Sequence, residues 1–482
     1  MTDNIFRRIL KGSATTTFGT GISMLLHFVS IMIITRGISK EEFGSYALII
    51  VLTNFINILG SLGLDITLVK FISGDKDYKK NEILLPVAIV KLFSIIFLSI
   101  LFLLLSGIII PLISEHLTEL IFYFPVLFIF SSFRDLGYKV FQSVNLYRNY
   151  VTVQISSALL RIGIILALFL TNNLNLGNLV LTEMCLVILT VTLQFILIPI
   201  KRLVSRNMKS KIFKDLLNFS IPLYFNSIFT FMYGRVNLII IALLLNPASV
   251  GLYDAATKVP EALKRLFNSF IVVYFPNISN LFSNDNKHKA EELMNGTLIG
   301  FSTTLTIIIL ISFLFNNEII VLIFSAKYAE VSLVFSLLML NFSFRVYANI
   351  LGYSILAAGF PKVPMKVNIV SSLISVGGSF LLIPKLGIIG VVIALLVMNS
   401  VAQLSYIFYH VQATIKVAVK KYLVPTFLLT ATLSIYYVLN IENILIKIVI
   451  LLTFILLLWL LIKDFREIIY KTIAVISKKK TL

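Results

Sequence analysis

Residues 83–110 read ILLPVAIVKLFSIIFLSILFLLLSGIII, an apolar run interrupted by a single charge, Lys91. A helix rises 1.5 Å per residue and the hydrocarbon of a bilayer is about 30 Å thick, so about 20 such residues cross it. This run is long enough to span a membrane and has nothing that a water-facing surface needs. Comparable runs fall at 13–35, 43–68, 117–141, 150–171, 177–199, 216–245, 250–280, 293–315, 330–357, 364–383, 387–410, 421–439 and 443–463, with short polar breaks between them. They predict about fourteen spans. The whole composition agrees: 58% of the 482 residues are apolar and 13% charged, far outside soluble usage. The fold class expected is an all-α integral membrane protein, multi-pass, with no room for a large soluble domain.

Charge placement sets the orientation, because Lys and Arg collect in cytoplasmic loops. With the N-terminus inside, 29 of the 41 basic residues fall in the N-terminus, the even-numbered loops and the C-terminal tail, and only Arg36, Lys40, Lys327, Lys385 and Lys447 fall outside. Both ends are therefore expected in the cytoplasm. The net charge of +19 then reflects insertion and an anionic inner leaflet, and membrane lipids rather than nucleic acid are the expected partners. The first run lacks a small-residue cleavage site and reads as an uncleaved anchor.

Several chemistries are excluded. Cys185 stands alone, His27, His116, His288 and His410 are scattered, and there is no glycine-rich phosphate loop. No disulfide, metal site, cofactor or ATP-driven step is expected.

Leu10 and Ser13 recur as Leu217 and Ser220 at an offset of 207, and Gly44 and Tyr46 as Gly251 and Tyr253; Phe133-Arg134 recurs as Phe344-Arg345 at 211. Six spans separate the matched points, so the halves are expected to be parallel six-helix repeats around a central cavity, an architecture of transporters. The expected domains are an N-terminal lobe (1–200), a basic cytoplasmic linker (201–215), a C-terminal lobe (216–411), and two extra helices with a basic tail (412–482).

Polar residues at helical spacing point to helices that line such a cavity. The first span carries Thr16, Thr20, Ser23, His27 and Ser30; the second Asn54, Asn57, Ser61 and Asp65; the seventh Ser227, Thr230, Gly234 and Asn237; the eighth Asp254, Lys258, Glu261, Arg265 and Asn268. Arg161, Arg235, Lys258 and Arg345 fall near mid-membrane, where each costs about 2.5–3.5 kcal/mol on insertion scales and must meet water, an acid or an anion. Lys91 lies near an interface and is expected to snorkel. Arg161, Arg235, Lys258 and Arg345, with Asn54, Asn57, Thr230 and Asn237, are the candidates for holding an anionic, sugar-bearing substrate; Asp65, Glu183, Asp254, Glu261 and His27 are the candidates for ion coupling. Asp254 and Glu261 are expected to hold Lys258 when no substrate is present, and Glu183 has the alternative of simply pairing with a base. Pro260 reads as a kink or a hinge.

On the start of the first helix, the Phe43-Gly44-Ser45-Tyr46 and Val250-Gly251-Leu252-Tyr253 turns, the Phe275-Pro276 ending of the eighth helix and the twelve-plus-two layout, the chain resembles bacterial polysaccharide repeat-unit flippases (Wzx-like). Their superfamily also holds multidrug and toxin extruders and peptidoglycan-precursor flippases. The resemblance implies that a polyprenyl-pyrophosphate-linked oligosaccharide is moved to the outer leaflet by alternating access, without enzymatic chemistry, with spans one, two, seven and eight as cavity walls. It implies a cell-membrane location, and a polysaccharide polymerase and chain-length machinery as partners. The alternatives are a peptidoglycan-precursor flippase, a cation-coupled drug exporter, which the net-basic interior argues against, and a membrane polymerase, for which no outer loop is long enough.

Overall fold

The computed structural model describes residues 2–74, 80–205, 210–413, 415–462 and 466, and it is helical with no strand among them. Lys76, Lys79, linker positions 206–209 and all of the basic tail except Arg466, on which part of the orientation rests, lie outside the described residues, as do the side chains of Arg7, Arg8 and Lys11. The chain divides into two compact units, 1–254 and 255–482.

The first unit holds α1 (Thr2–Gly37), α2 (Lys40–Ser61), α3 (Leu64–Gly74), α4 (Leu84–Ile113), α5 (Tyr123–Ser143), α6 (Tyr147–Leu170), α7 (Leu176–Leu197), the one-turn α8 (Ile200–Leu203), α9 (Ser210–Gly234), α10 (Val236–Leu244) and the start of α11 (Pro247–Ser283). Local chemistry starts these helices where they start. Ser39 Oγ accepts from the Glu42 amide at 3.1 Å while Glu42 accepts from the Ser39 amide at 3.0 Å, a reciprocal cap on two otherwise orphaned donors. The second Glu42 oxygen accepts from the Leu176 amide at 3.2 Å, which sets the starts of α2 and α7 side by side. Asn175 caps α7. Phe102, Phe124 and Phe128 pack ring on ring between α4 and α5, and Leu64, Leu68, Ile72 and Leu136 form a buried apolar layer nearby.

Two expected spans are broken. The run 43–68 is two helices, because Leu62 and Gly63 both adopt the left-handed region, with φ of 48° and 75°. Gly63 also lies so close to α9 that a Cβ there would overlap the Ser220 carbonyl oxygen. The run 216–245 bends by 47° between α9 and α10, and Arg235 stands at the bend rather than inside a helix.

Gly44 and Gly251, matched in the sequence repeat, lie backbone to backbone. A Cβ on Gly44 would overlap the Pro247 carbonyl oxygen, and one on Gly251 would overlap that of Lys40, in each case the residue four before the partner glycine. The first turns of α2 and α11 thus cross with no side chain between them.

The second unit continues α11 and adds α12 (Lys287–Leu314), α13 (Asn316–Phe324), α14 (Ser332–Ala357), α15 (Lys362–Leu386), α16 (Ile388–Ala413), α17 (Val419–Val438) and α18 (Ile444–Leu461). Its core is an aromatic and aliphatic cluster that includes Phe267, Tyr274, Met294, Leu310, Val346, Leu351, Phe454 and Leu458. The last two helices pack on α12, and Lys447 of α18 donates to Glu318 of α13 at 2.7 Å.

Among the described residues ten helices are each long and apolar enough to cross a bilayer, eleven with the bent α9–α10 pair. The chain is a multi-pass helical membrane protein. Arg134, Asp135 and Lys139 in α5, and Asp254, Lys258, Glu261, Lys264 and Arg265 in α11, interrupt the apolar stretch of those two helices, and α17 has a shorter one, 423–438.

Candidate functional site

The interior of the first unit brings together residues that the sequence kept far apart. From α6, Arg161 donates through Nε to Glu183 of α7 at 2.8 Å, sets Nη1 against His27 Nδ1 of α1 at 2.6 Å, and directs Nη2 to the Tyr46 hydroxyl of α2. Tyr46 in turn donates to Glu183 at 2.7 Å. A guanidinium in fixed fork geometry offers five donors, and three helices supply the acceptors that this burial demands. His27 meets the arginine through a ring nitrogen, so that nitrogen carries no proton while the contact holds. The cluster is neutral in sum; Arg161 is 7% exposed, while the Glu183 side chain is 29% exposed.

Arg161 was expected among the cations waiting for an anion. It is instead committed to Glu183, His27 and Tyr46, because a buried charge is satisfied by the nearest acid. Glu183 and His27, expected as separate coupling candidates, belong to this one cluster. Tyr46 was not singled out as a functional residue; its place one helix face from Thr53 and Asn57 was the available signal.

Lys91 is not a snorkelling residue. It is 1% exposed and donates to Asp65 at 2.6 Å. The second-span stripe is divided accordingly: Asn57 and Ser61 are buried, Asn54 is exposed, and Asp65 lies past the break on α3. Arg134 and Asp135 pair on α5 at 3.0 Å, with both side chains partly exposed.

Asp254, expected to hold Lys258, is buried with Arg235 at 3.8 Å. Asn237 is buried one turn into α10, while Thr230 is exposed and donates to the Asn226 carbonyl at 2.8 Å. In the second unit, Lys258 and Glu261 are half-buried on α11 and Arg345 is half-buried on α14. Lys258 lies eleven residues into α11, about 16 Å along it, two residues before Pro260. Among the described residues no group of His, Cys, Asp and Glu has the geometry to hold a metal ion.

Residues 9–282 match the family described as "Polysaccharide biosynthesis protein". The chain is 24% identical over 398 residues to the capsular polysaccharide biosynthesis protein CapF of Staphylococcus aureus, covering 81% of this chain and 96% of that protein. It is 24% identical over 199 residues to the probable low-salt glycan biosynthesis flippase Agl15 of Haloferax volcanii, covering 40% of this chain and 41% of that protein. In fold it resembles the lipid II flippase MurJ in an inward closed conformation, with a TM-score of 0.70 at 18% identity, over 95% of this chain and 99% of that one.

Proposed function

The chain belongs to the polysaccharide biosynthesis protein family, and from that premise we propose that it is a flippase that carries a polyprenyl-pyrophosphate-linked oligosaccharide from the cytoplasmic to the outer leaflet by alternating access. A relative named as a probable flippase, and a fold shared over nearly the whole chain with the lipid II flippase, support that reading. In it the N-terminus, the 201–215 linker and the tail face the cytoplasm, and a polysaccharide polymerase receives the product. A cysteine placed at Ser205 should react with an impermeant thiol reagent only after the cells are opened. Reaction from outside intact cells overturns the orientation.

The substrate class rests on one observation: Lys258 is held half-buried far from either end of a 37-residue helix. A cation at such a position needs an acid or an anionic ligand to offset its desolvation. Asp254 and Glu261 share its helix face at i−4 and i+3, so a phosphate competes with carboxylates for the ammonium. Arg235, at the α9–α10 bend, and Arg345 are the further phosphate ligands in this reading, while Asn237, Thr230 and Asn54 offer amide and hydroxyl groups to sugars. Asp254, Glu261 and the Glu183 cluster are the candidates for ion coupling. The inside-negative potential favours outward movement of each uncompensated negative charge by about 2.3 kcal/mol per 100 mV.

The test is translocation of a lipid-linked oligosaccharide in liposomes containing only this protein. Lys258→Gln should abolish it with insertion and abundance unchanged, and Lys258→Arg should keep part of it. Full activity in the Gln variants of Lys258, Arg235 and Arg345 alike removes the anion site.

A further inference from the structure

The first unit contains a second set of polar groups that the Arg161 cluster does not use. Among the described residues there, six buried side-chain atoms have no hydrogen-bond partner: Ser23 Oγ on α1, Thr53 Oγ1 and both amide atoms of Asn57 on α2, Ser132 Oγ on α5, and Gln194 Oε1 on α7. Asn57 is only 7% exposed. Left dry, each of these atoms bears the full desolvation cost of a polar group, and a bundle does not keep six of them together unless something polar reaches them.

Their order along the helices is regular. Tyr46, Thr53 and Asn57 fall within about 20° of one face of α2 at 100° per residue. Because the starts of α2 and α7 adjoin and Tyr46 reaches Glu183, the two helices run parallel at the same level. Asn57 lies eleven residues beyond Tyr46, and Gln194 lies eleven beyond Glu183, so both amides stand about 16 Å past the cluster on the same side. α1 runs opposite to α2 across a two-residue turn, which puts Ser23, one turn before His27, on that side too. Gln194 fits because position 137 is glycine; a Cβ there would overlap its amide. Its other amide atom donates to the Arg134 carbonyl at 3.1 Å, next to the partly exposed Arg134–Asp135 pair.

We propose that a file of ordered water, entered beside Arg134–Asp135 and held by Gln194, Ser132, Asn57, Thr53 and Ser23, delivers protons to the Glu183 carboxylate. Buried water of this kind needs two to four polar partners at each position, which hydroxyls and amides spaced one or two turns apart provide. The groups facing Glu183 are His27 from α1, Tyr46 from α2, Arg134 with Asp135 from α5 and Arg161 from α6. A proton arriving at Glu183 forms a carboxyl O–H, removes the negative charge that holds Arg161 Nε, and leaves the cluster one positive charge richer; its departure along the file restores the pair. The link from this proton to flipping rests on the flippase reading above, whereas the file itself does not.

The experiment uses the full chain in liposomes with Cys185→Ala, so that introduced thiols are the only ones. Asn57→Cys and Thr53→Cys should react with methanethiosulfonate ethylammonium at least about tenfold faster than Leu48→Cys on the opposite face of α2, since thiolate forms only where water reaches. Equal rates overturn the file. Thr53→Val combined with Asn57→Leu should delay, by an order of magnitude, the infrared carboxyl band that appears after an acid jump and is absent in Glu183→Gln, while Thr53→Ser keeps the parental rate. An unchanged rate in the double variant overturns proton delivery. If the parent protein translocates no lipid-linked oligosaccharide, the flippase reading fails while both of these readouts stand.

Discussion

The two units bury polarity in different ways. Inside the first, charged pairs cross between helices, Arg161 with Glu183 and Lys91 with Asp65, beside neutral bonds such as Gln194 to the Arg134 carbonyl. Inside the second, the buried cross-helix bonds include neutral ones: Tyr274 to Ser354 at 2.7 Å, Asn399 to Asn341 at 2.8 Å, and Ser336 to the Ser312 carbonyl at 2.5 Å. One ion pair of this unit, Lys447–Glu318, lies where the carboxylate is 40% exposed. Neutral bonds suffice to fix helices against one another, so packing alone does not call for the ions of the first unit.

Removing a charge there should have the largest effect. Arg161→Met leaves the half-buried Glu183 without its charged partner and should cost about 3 kcal/mol, seen as a lower unfolding midpoint in detergent. Adding Glu183→Leu should recover most of that loss, since the second change removes the stranded charge. A double variant no more stable than the single one would show that the cluster is held by more than charge balance. The neutral bonds should be worth less. Asn399→Leu, which removes the donor to the side-chain amide oxygen of Asn341, should cost about 1–3 kcal/mol by the same measurement. A larger loss than that from Arg161→Met would invert the contrast between the units.

The smallest effect belongs to the pair whose carboxylate is the more exposed. Glu318→Gln should change stability by less than about 1 kcal/mol. Burial alone would raise the Glu318 carboxyl, but the hydrogen bond from Lys447, a backbone hydrogen bond and the charge of Lys447 together outweigh it and hold the group below the usual carboxylate range. A carboxylate lowered in the folded state stabilises it at neutral pH, and that contribution fades as acid protonates the group. The difference between the wild-type protein and Glu318→Gln should therefore narrow on acidification from neutral pH. A gap that widens there would contradict the pairing.

The helices were legible in the apolar runs, because a membrane offers the backbone no other partner than itself. The breaks were only partly so. The Gly60-Ser61-Leu62-Gly63 stretch carried a turn signal inside an apolar run, and hydropathy averages over it. The site was less legible still, since side-chain partners depend on which helices adjoin. Lys91 is 26 residues from Asp65, and Arg161 is 115 from Tyr46 and 134 from His27. Periodicity found the faces that bear Asn57, Asp254 and Lys258, but it could not say that Arg161 would be neutralised from three other helices.

Where the backbone of Lys40–Gly44 rests on that of Pro247–Gly251, neither glycine can gain a side chain unless the other helix withdraws. The two positions therefore lose the independence that most residues of α2 and α11 retain. Among homologous chains they should drift as a linked pair, each remaining glycine where the other is glycine, and larger residues entering both positions together or neither. Their joint frequencies across many relatives would then preserve the imprint of a backbone crossing, readable from sequences alone.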